Sequence, residues 1–269
     1  MKGNFLKDLQ IASIQSESNW NTFKVHTLLQ NCKQKQPSIN AYLGARYSRS
    51  ADSIVDIAKE IIDNKTDASQ RLEAIFHGYG HKSVGDMAEL FVCIENIPMY
   101  TAMRIFYLNS VISGQERSTR YQNFKDPQYI KIPKQVCSDE SIRKEYESII
   151  LKQIDDYSRL LNKTKEVLKE YFNINEDIKE EKSALQSRSF DTARYLLPYG
   201  LQTSMAAVMS ARNWSELISY LNASDSVVDN EAGNLLYNLL GESKIDINGY
   251  IREADGLIRH TDANCCRRN

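Results

Sequence analysis

The sequence predicts an α+β chain, and three observations carry that prediction. Over residues 141–172 apolar side chains recur at helical spacing: Tyr146, Ile149, Ile150, Ile154, Tyr157, Leu160, Leu161, Leu168 and Tyr171 share one face, with Lys, Glu and Asp opposite. Residues 90–97 form a short apolar run that stops at Pro98, the pattern of a strand. Between such stretches lie further short helical patterns, so the mix is mostly helix with a few strands.

Taken in order, residues 1–40 are polar and irregular, with Gln- and Asn-rich patches and a Pro37-Ser38 turn. They read as an N-terminal arm with one short helix. Residues 42–47 read as a strand or a turn. Helical spacing follows over 53–62, where Ser53 is a suitable cap. A second helix is expected over 67–76, with Leu72, Ile75 and Phe76 facing inward, and Gly78-Tyr79-Gly80 stops it. The strand at 90–97 leads into a helix over 99–108 whose buried side is expected to be Met103, Phe106 and Tyr107. A loop over 110–114 then delivers a polar cluster.

Prolines in 126–136 suit an extended connection. The long helix pattern comes next, and 173–182 is acidic, a loop or a helix start. Helices are expected over 189–197, ending near Pro198, and over 203–211, 214–221 and 230–240. There is no internal repeat and no clear linker. One domain over 41–245 is therefore expected, with the arm before it and a tail over 246–269.

The chain has 269 residues, 42% of them hydrophobic, and a formal net charge of −1. That is ample material for a core, and the charge suggests neither a nucleic acid polymer nor a membrane as partner. Residues 1–17 lack a basic start followed by an apolar core, so a cytoplasmic location is expected. Cys32, Cys93, Cys137, Cys265 and Cys266 are odd in number and irregular in spacing. They suggest neither a disulfide framework nor a zinc site, and no metal is expected.

The chemistry concentrates in Gly114-Gln115-Glu116-Arg117-Ser118-Thr119-Arg120-Tyr121-Gln122. Guanidinium groups offer paired planar donors and the hydroxyls add short ones, a set suited to phosphate or carboxylate. A carboxylate beside them can accept from a sugar hydroxyl or a ring N–H. The alternative is an exposed loop whose charges pair with one another. Gly80-His81-Lys82-Ser83-Val84-Gly85-Asp86 precedes this stretch; Ala193-Arg194-Tyr195-Leu196-Leu197-Pro198 and Ser210-Ala211-Arg212 come after it, and Ala45-Arg46-Tyr47-Ser48 opens the series.

In that order the chain resembles the flavin-dependent thymidylate synthase family, over roughly 41–240. Ser113-x4-Ser118-x-Arg120 matches the second half of the family signature, Arg-His-Arg-x-x-Ser-x4-Ser-x-Arg. Leu108-Asn109-Ser110 stands where the first half has Arg-His-Arg, and Asn222 stands where a further arginine is expected. The resemblance implies a twisted antiparallel sheet flanked by helices and a homotetramer with active sites between subunits. It also implies methylation of dUMP to dTMP with FAD as cofactor and NADPH and methylenetetrahydrofolate as co-substrates.

Carried over residue by residue, Glu116, Ser118, Arg120 and Arg194 bind the nucleotide, with Ser118, Arg120 and Arg194 nearest the chemistry. His81, Ser83 and Asp86 line the flavin region, and Ser48, Asn109, Ser110 and Arg212 fall beside the cofactor. Read without the family, His81 is a surface or capping histidine and Arg194 pairs with Asp191 or Glu180. The missing Arg-His-Arg keeps two alternatives open. One is flavin-dependent modification of another pyrimidine nucleotide. The other is a non-catalytic nucleotide-binding or partner subunit completed by a second lobe or chain.

Overall fold

A computed structural model describes residues 9–15, 24–30, 37–53, 56–57, 59–60, 71, 82–119, 122, 124, 137–241 and 258. The strand expected at 90–97 spans Glu89–Pro98 (β3). Leu90, Val92, Ile94 and Ile97 are buried along it. Ile94 and Ile97 are an odd number of residues apart, so both point inward only because a bulge lies between them. Asn96 takes φ 60° there, a left-handed conformation that asparagine tolerates, and its N–H donates to Ser204 Oγ at 3.3 Å.

The neighbour of β3 is Gln202–Ser210 (β5), which corrects the helix expected over 203–211. Ala and Met favour helices locally. Yet Thr203, Met205, Ala207 and Met209 are buried at period two, and strands on both sides satisfy the backbone. The second of those strands, Ser113–Glu116 (β4), begins inside the expected loop. Gly114 permits the pairing: a Cβ there would lie 2.6 Å from the Ala206 carbonyl oxygen and 3.2 Å from the Phe106 ring.

The segment read as an irregular arm supplies two strands, Leu9–Gln15 (β1) and Lys24–Gln30 (β2). The described sheet runs β1-β2-β3-β5-β4, with every pairing antiparallel. Neither segment alternates cleanly between apolar and polar residues, and their backbone bonds come from partners distant in sequence.

Pro37–Tyr47 (α1) replaces the Pro37-Ser38 turn and the strand or turn expected over 42–47; proline is tolerated in a first helical turn, and Ala41, Tyr42 and Ala45 are buried. Ser53 caps the next turn, its Oγ accepting from Asp56 N at 3.2 Å. The helix expected over 67–76, its glycine stop and the connection over 126–136 lie outside the described residues, except Arg71, which is helical.

Met99–Leu108 (α2) has the expected bounds but not the expected buried side. Thr101, Ala102 and Ile105 are buried, whereas Tyr107 is 82% exposed. Small side chains at Thr101 and Ala102 let this helix approach β3 and β5 closely; Phe106 still packs against the core, as expected, while Tyr107 turns outward. The long helix spans Glu140–Tyr171 (α3), about 48 Å at 1.5 Å per residue. Asp139 caps it, and the N–H groups of Ser141 and Ile142, with the Ser141 hydroxyl, hold that carboxyl below the usual range. The buried face is narrower than the periodicity implies: Ile150, Ile154 and Tyr157 are covered, and Ile149 and Tyr171 are exposed.

Asn173, at φ 51°, turns the chain back toward Lys179–Ala193 (α4), which packs against α3. Ala211–Asn222 (α5) and Val227–Leu240 (α6) close the described fold. Trp214, Leu217, Ile218 and Leu221 recur at i, i+3, i+4 and i+7 on α5 and are fully buried. They join the inward face of the sheet in the main core. Asp229, fully buried on α6, accepts from Thr101 Oγ1 at 2.9 Å and Ser224 Oγ at 3.0 Å, and pairs with Arg104 at 2.7 Å. A second core of Phe124, Ile150, Ile154, Tyr157, Ala193, Leu197 and Leu201 lies between the α3–α4 pair and the start of β5. No described helix is long and apolar enough to cross a membrane.

Candidate functional site

Two walls built from opposite halves of the chain enclose a cavity of about 360 Å³. The first wall is the end of β4 with the residues just beyond it. Arg117 N donates to Ser204 O at 2.7 Å, carrying the ladder one residue past the strand before the chain turns. Glu116, Arg117, Ser118 and Thr119 therefore all line the cavity. The second wall lies after α4, where Arg194–Leu196 forms a single 3-10 turn closed by Leu197 N to Arg194 O at 3.0 Å. Arg194, Tyr195, Leu197 and Tyr199 line this side, with Met99 between the walls. Met99 N donates to Leu201 O at 2.8 Å and Tyr100 N to Tyr199 O at 3.1 Å, so the start of α2 holds the second wall in register.

Solvent reaches Glu116, yet the surrounding protein thins its hydration and pushes its carboxyl above the usual range; a hydrogen bond from Thr203 opposes the shift. Arg194 makes a long, partly exposed contact with Asp191 at 3.4 Å and lies 5.9 Å from the Tyr195 ring centroid. Sequence alone does not single out Met99, Tyr199 or Leu197 as cavity residues. Their one signal is the nearby Pro198, which ends the turn.

A second cluster gathers where α5 begins, at the far end of β5. Arg212 pairs with Asp86 at 3.1 Å and Glu216 at 3.3 Å, contacts that hold its guanidinium firmly protonated. Ser210 Oγ caps α5 and also reaches Asp86 at 3.5 Å. Asn109, 7% exposed, donates to Asn213 O at 3.4 Å and accepts from Val111 N at 3.1 Å. Ser110 and Ser83 are exposed, and Ser48 donates to Ala45 O at 3.1 Å beyond α1.

Of the residues expected from the sequence, Glu116, Ser118 and Arg194 thus share one cavity, and Asn109 and Arg212 meet around the start of α5. Arg120 and His81 lie outside the described residues. Asn222 ends α5 with Oδ1 buried, unbonded and pressed against Gly233, and it is not among the cavity residues. Arg104 on α2 is committed to Asp229. Among the described residues, no three His, Cys, Asp or Glu side chains are grouped to hold a metal.

The model of the family described as thymidylate synthase complementing protein matches residues 27–239, and the chain belongs to that flavin-dependent thymidylate synthase family. The chain is 26% identical over 208 residues to the UPF0159 protein Ta1429 of Thermoplasma acidophilum, a match covering 66% of this chain and 42% of that protein. The chain thus spans less than half the length of that relative.

Family membership implies a flavin, and the cluster at α5 tests whether the described residues suit one. Arg212 stands there between Asp86 and Glu216, and Asn109 has both side-chain polar atoms bonded internally. That set carries more acid than base and does not fit a pyrophosphate.

Proposed function

We propose that the cavity between β4 and the 194–199 segment binds dUMP, and that the chain takes part in flavin-dependent methylation of dUMP to dTMP. Methylenetetrahydrofolate and NADPH are the co-substrates of this reading. One observation supports it above the rest: Glu116 and Ser118, expected to bind nucleotide, share a cavity with Arg194 from a distant part of the sequence. The volume falls within the roughly 300–1,000 Å³ of small-molecule sites. In this reading Arg194 pairs with an anionic group of the nucleotide. Ser118 lies against the pyrimidine ring, and Glu116 accepts from a ring N–H or a sugar hydroxyl. Met99 and Leu197 exclude water from one side.

The flavin in this reading comes from family membership rather than from the residues around α5. Ser204, beside the cavity, and Ser210, beside the α5 cluster, are about 20 Å apart along β5 at ~3.3 Å per residue. That separation favours a complete site assembled between subunits, in keeping with the tetramer that the resemblance implies. The alternative of a non-catalytic nucleotide-binding subunit is favoured by one feature, the internally paired Arg212.

The test is calorimetric titration with dUMP, followed by an assay for dTMP with FAD, NADPH and methylenetetrahydrofolate. Saturable binding that Arg194→Ala weakens by about ten- to a hundredfold supports the site. Equal binding by both proteins overturns it. Binding without turnover selects the non-catalytic reading.

A further inference from the structure

We propose that Arg117 is a phosphate-holding residue of this cavity and acts as a pair with Arg194. The inference rests on the nucleotide reading of the cavity and extends it to a residue that lies between the matched Glu116 and Ser118 and has no role by resemblance.

Arg117 N is fixed to Ser204 O at 2.7 Å, so the side chain leaves a backbone anchored by the central strand rather than a free loop. Its side chain is half-buried and lines the cavity. Arg46, Arg104, Arg159 and Arg212 each pair with a carboxylate. Among the described residues no carboxylate pairs with Arg117. The adjacent Glu116 is bonded to Thr203 instead. Among the described residues, Arg194 in the opposite wall has one acidic contact, the long one to Asp191, beside its stacking on the Tyr195 ring.

Two arginines thus line one small cavity, one without an acidic partner among the described residues and one weakly engaged, together with Ser118 and Thr119. Planar donors and short hydroxyl donors together match the several acceptor oxygens of a phosphate monoester dianion. Arg117 therefore sets a preference for nucleoside monophosphate over nucleoside.

The test titrates wild type, Arg117→Gln and Arg117→Lys with dUMP, deoxyuridine and inorganic phosphate at several salt concentrations. Arg117→Gln is expected to weaken dUMP binding about ten- to a hundredfold, leave deoxyuridine binding unchanged and flatten the salt dependence. Arg117→Lys keeps the charge without the planar fork and is expected to fall between. It also carries the test if Arg117→Gln fails to fold. If all three proteins bind dUMP equally, the role of Arg117 is overturned and the nucleotide reading survives. Arg117-dependent binding of inorganic phosphate without binding of dUMP keeps the phosphate role and overturns the nucleotide reading. Failure of wild type to bind either overturns both.

Discussion

The two ends of β5 contain similar residue types in opposite electrostatic states. At the cavity end Arg194 has one long contact and Arg117 no acidic partner among the described residues. At the α5 end Arg212 is flanked by two carboxylates, and Asn109 is bonded to its own loop and to the first turn of α5. A guanidinium with acids on both sides offers an incoming anion little net attraction, whereas two guanidinium groups with at most one long acidic contact between them offer more. Candidate binding residues therefore differ less in type than in whether the fold has already satisfied them.

The strongest perturbation is expected on the closed side, at Asn109. Asn109→Arg buries a charge and removes two hydrogen bonds, so a loss of about 2–4 kcal/mol is expected in denaturant unfolding. Ser110→Arg, at an exposed position, is expected to change stability by no more than about 0.5 kcal/mol. Equal effects would mean that Asn109 is not the structural member of the pair.

A smaller change reopens the α5 cluster. Asp86→Asn removes one of the two acids on Arg212, and FAD or pyrophosphate affinity is expected to rise by at most about fivefold, since exposed pairs are worth roughly 0–1 kcal/mol. No rise at low salt would show that anions do not approach Arg212.

The mildest effect is expected on the open side, at Glu116. Because its carboxyl is raised, the native state holds its proton more tightly than the unfolded chain. Wild type should lose stability relative to Glu116→Gln as pH rises upward from the ordinary glutamate range. Thermal melts should show the variant slightly more stable at neutral pH and equal to wild type in acid. A constant difference across that range would remove Glu116 from the cavity's electrostatics.

Much of the helical structure is legible because its signal is local. The period over 141–172 and the Pro98 boundary mark α3 and α2 to within a residue or two. β5 reads as a helix because Met205, Ala206, Ala207 and Met209 favour one when only near neighbours count. β1 and β2 read as irregular because neither alternates cleanly and both are identified by their partners. On the site, the Glu116–Ser118 stretch is conspicuous for its chemistry. Tyr199 and Met99 are not, since an aromatic or a methionine becomes a cavity wall only through the elements that fold beside it.

The family, the run of polar groups after Gly114 and the helices whose apolar residues repeat within a few turns can all be read along the chain. Three features needed the folded molecule: Arg194 facing the same cavity as Glu116, β5 lying inside the sheet, and Asp86 and Glu216 neutralising Arg212. Periodicity and motif are properties of neighbouring residues. Charge pairing and strand ladders join residues far apart in sequence, so they exist only once the backbone has brought those residues together.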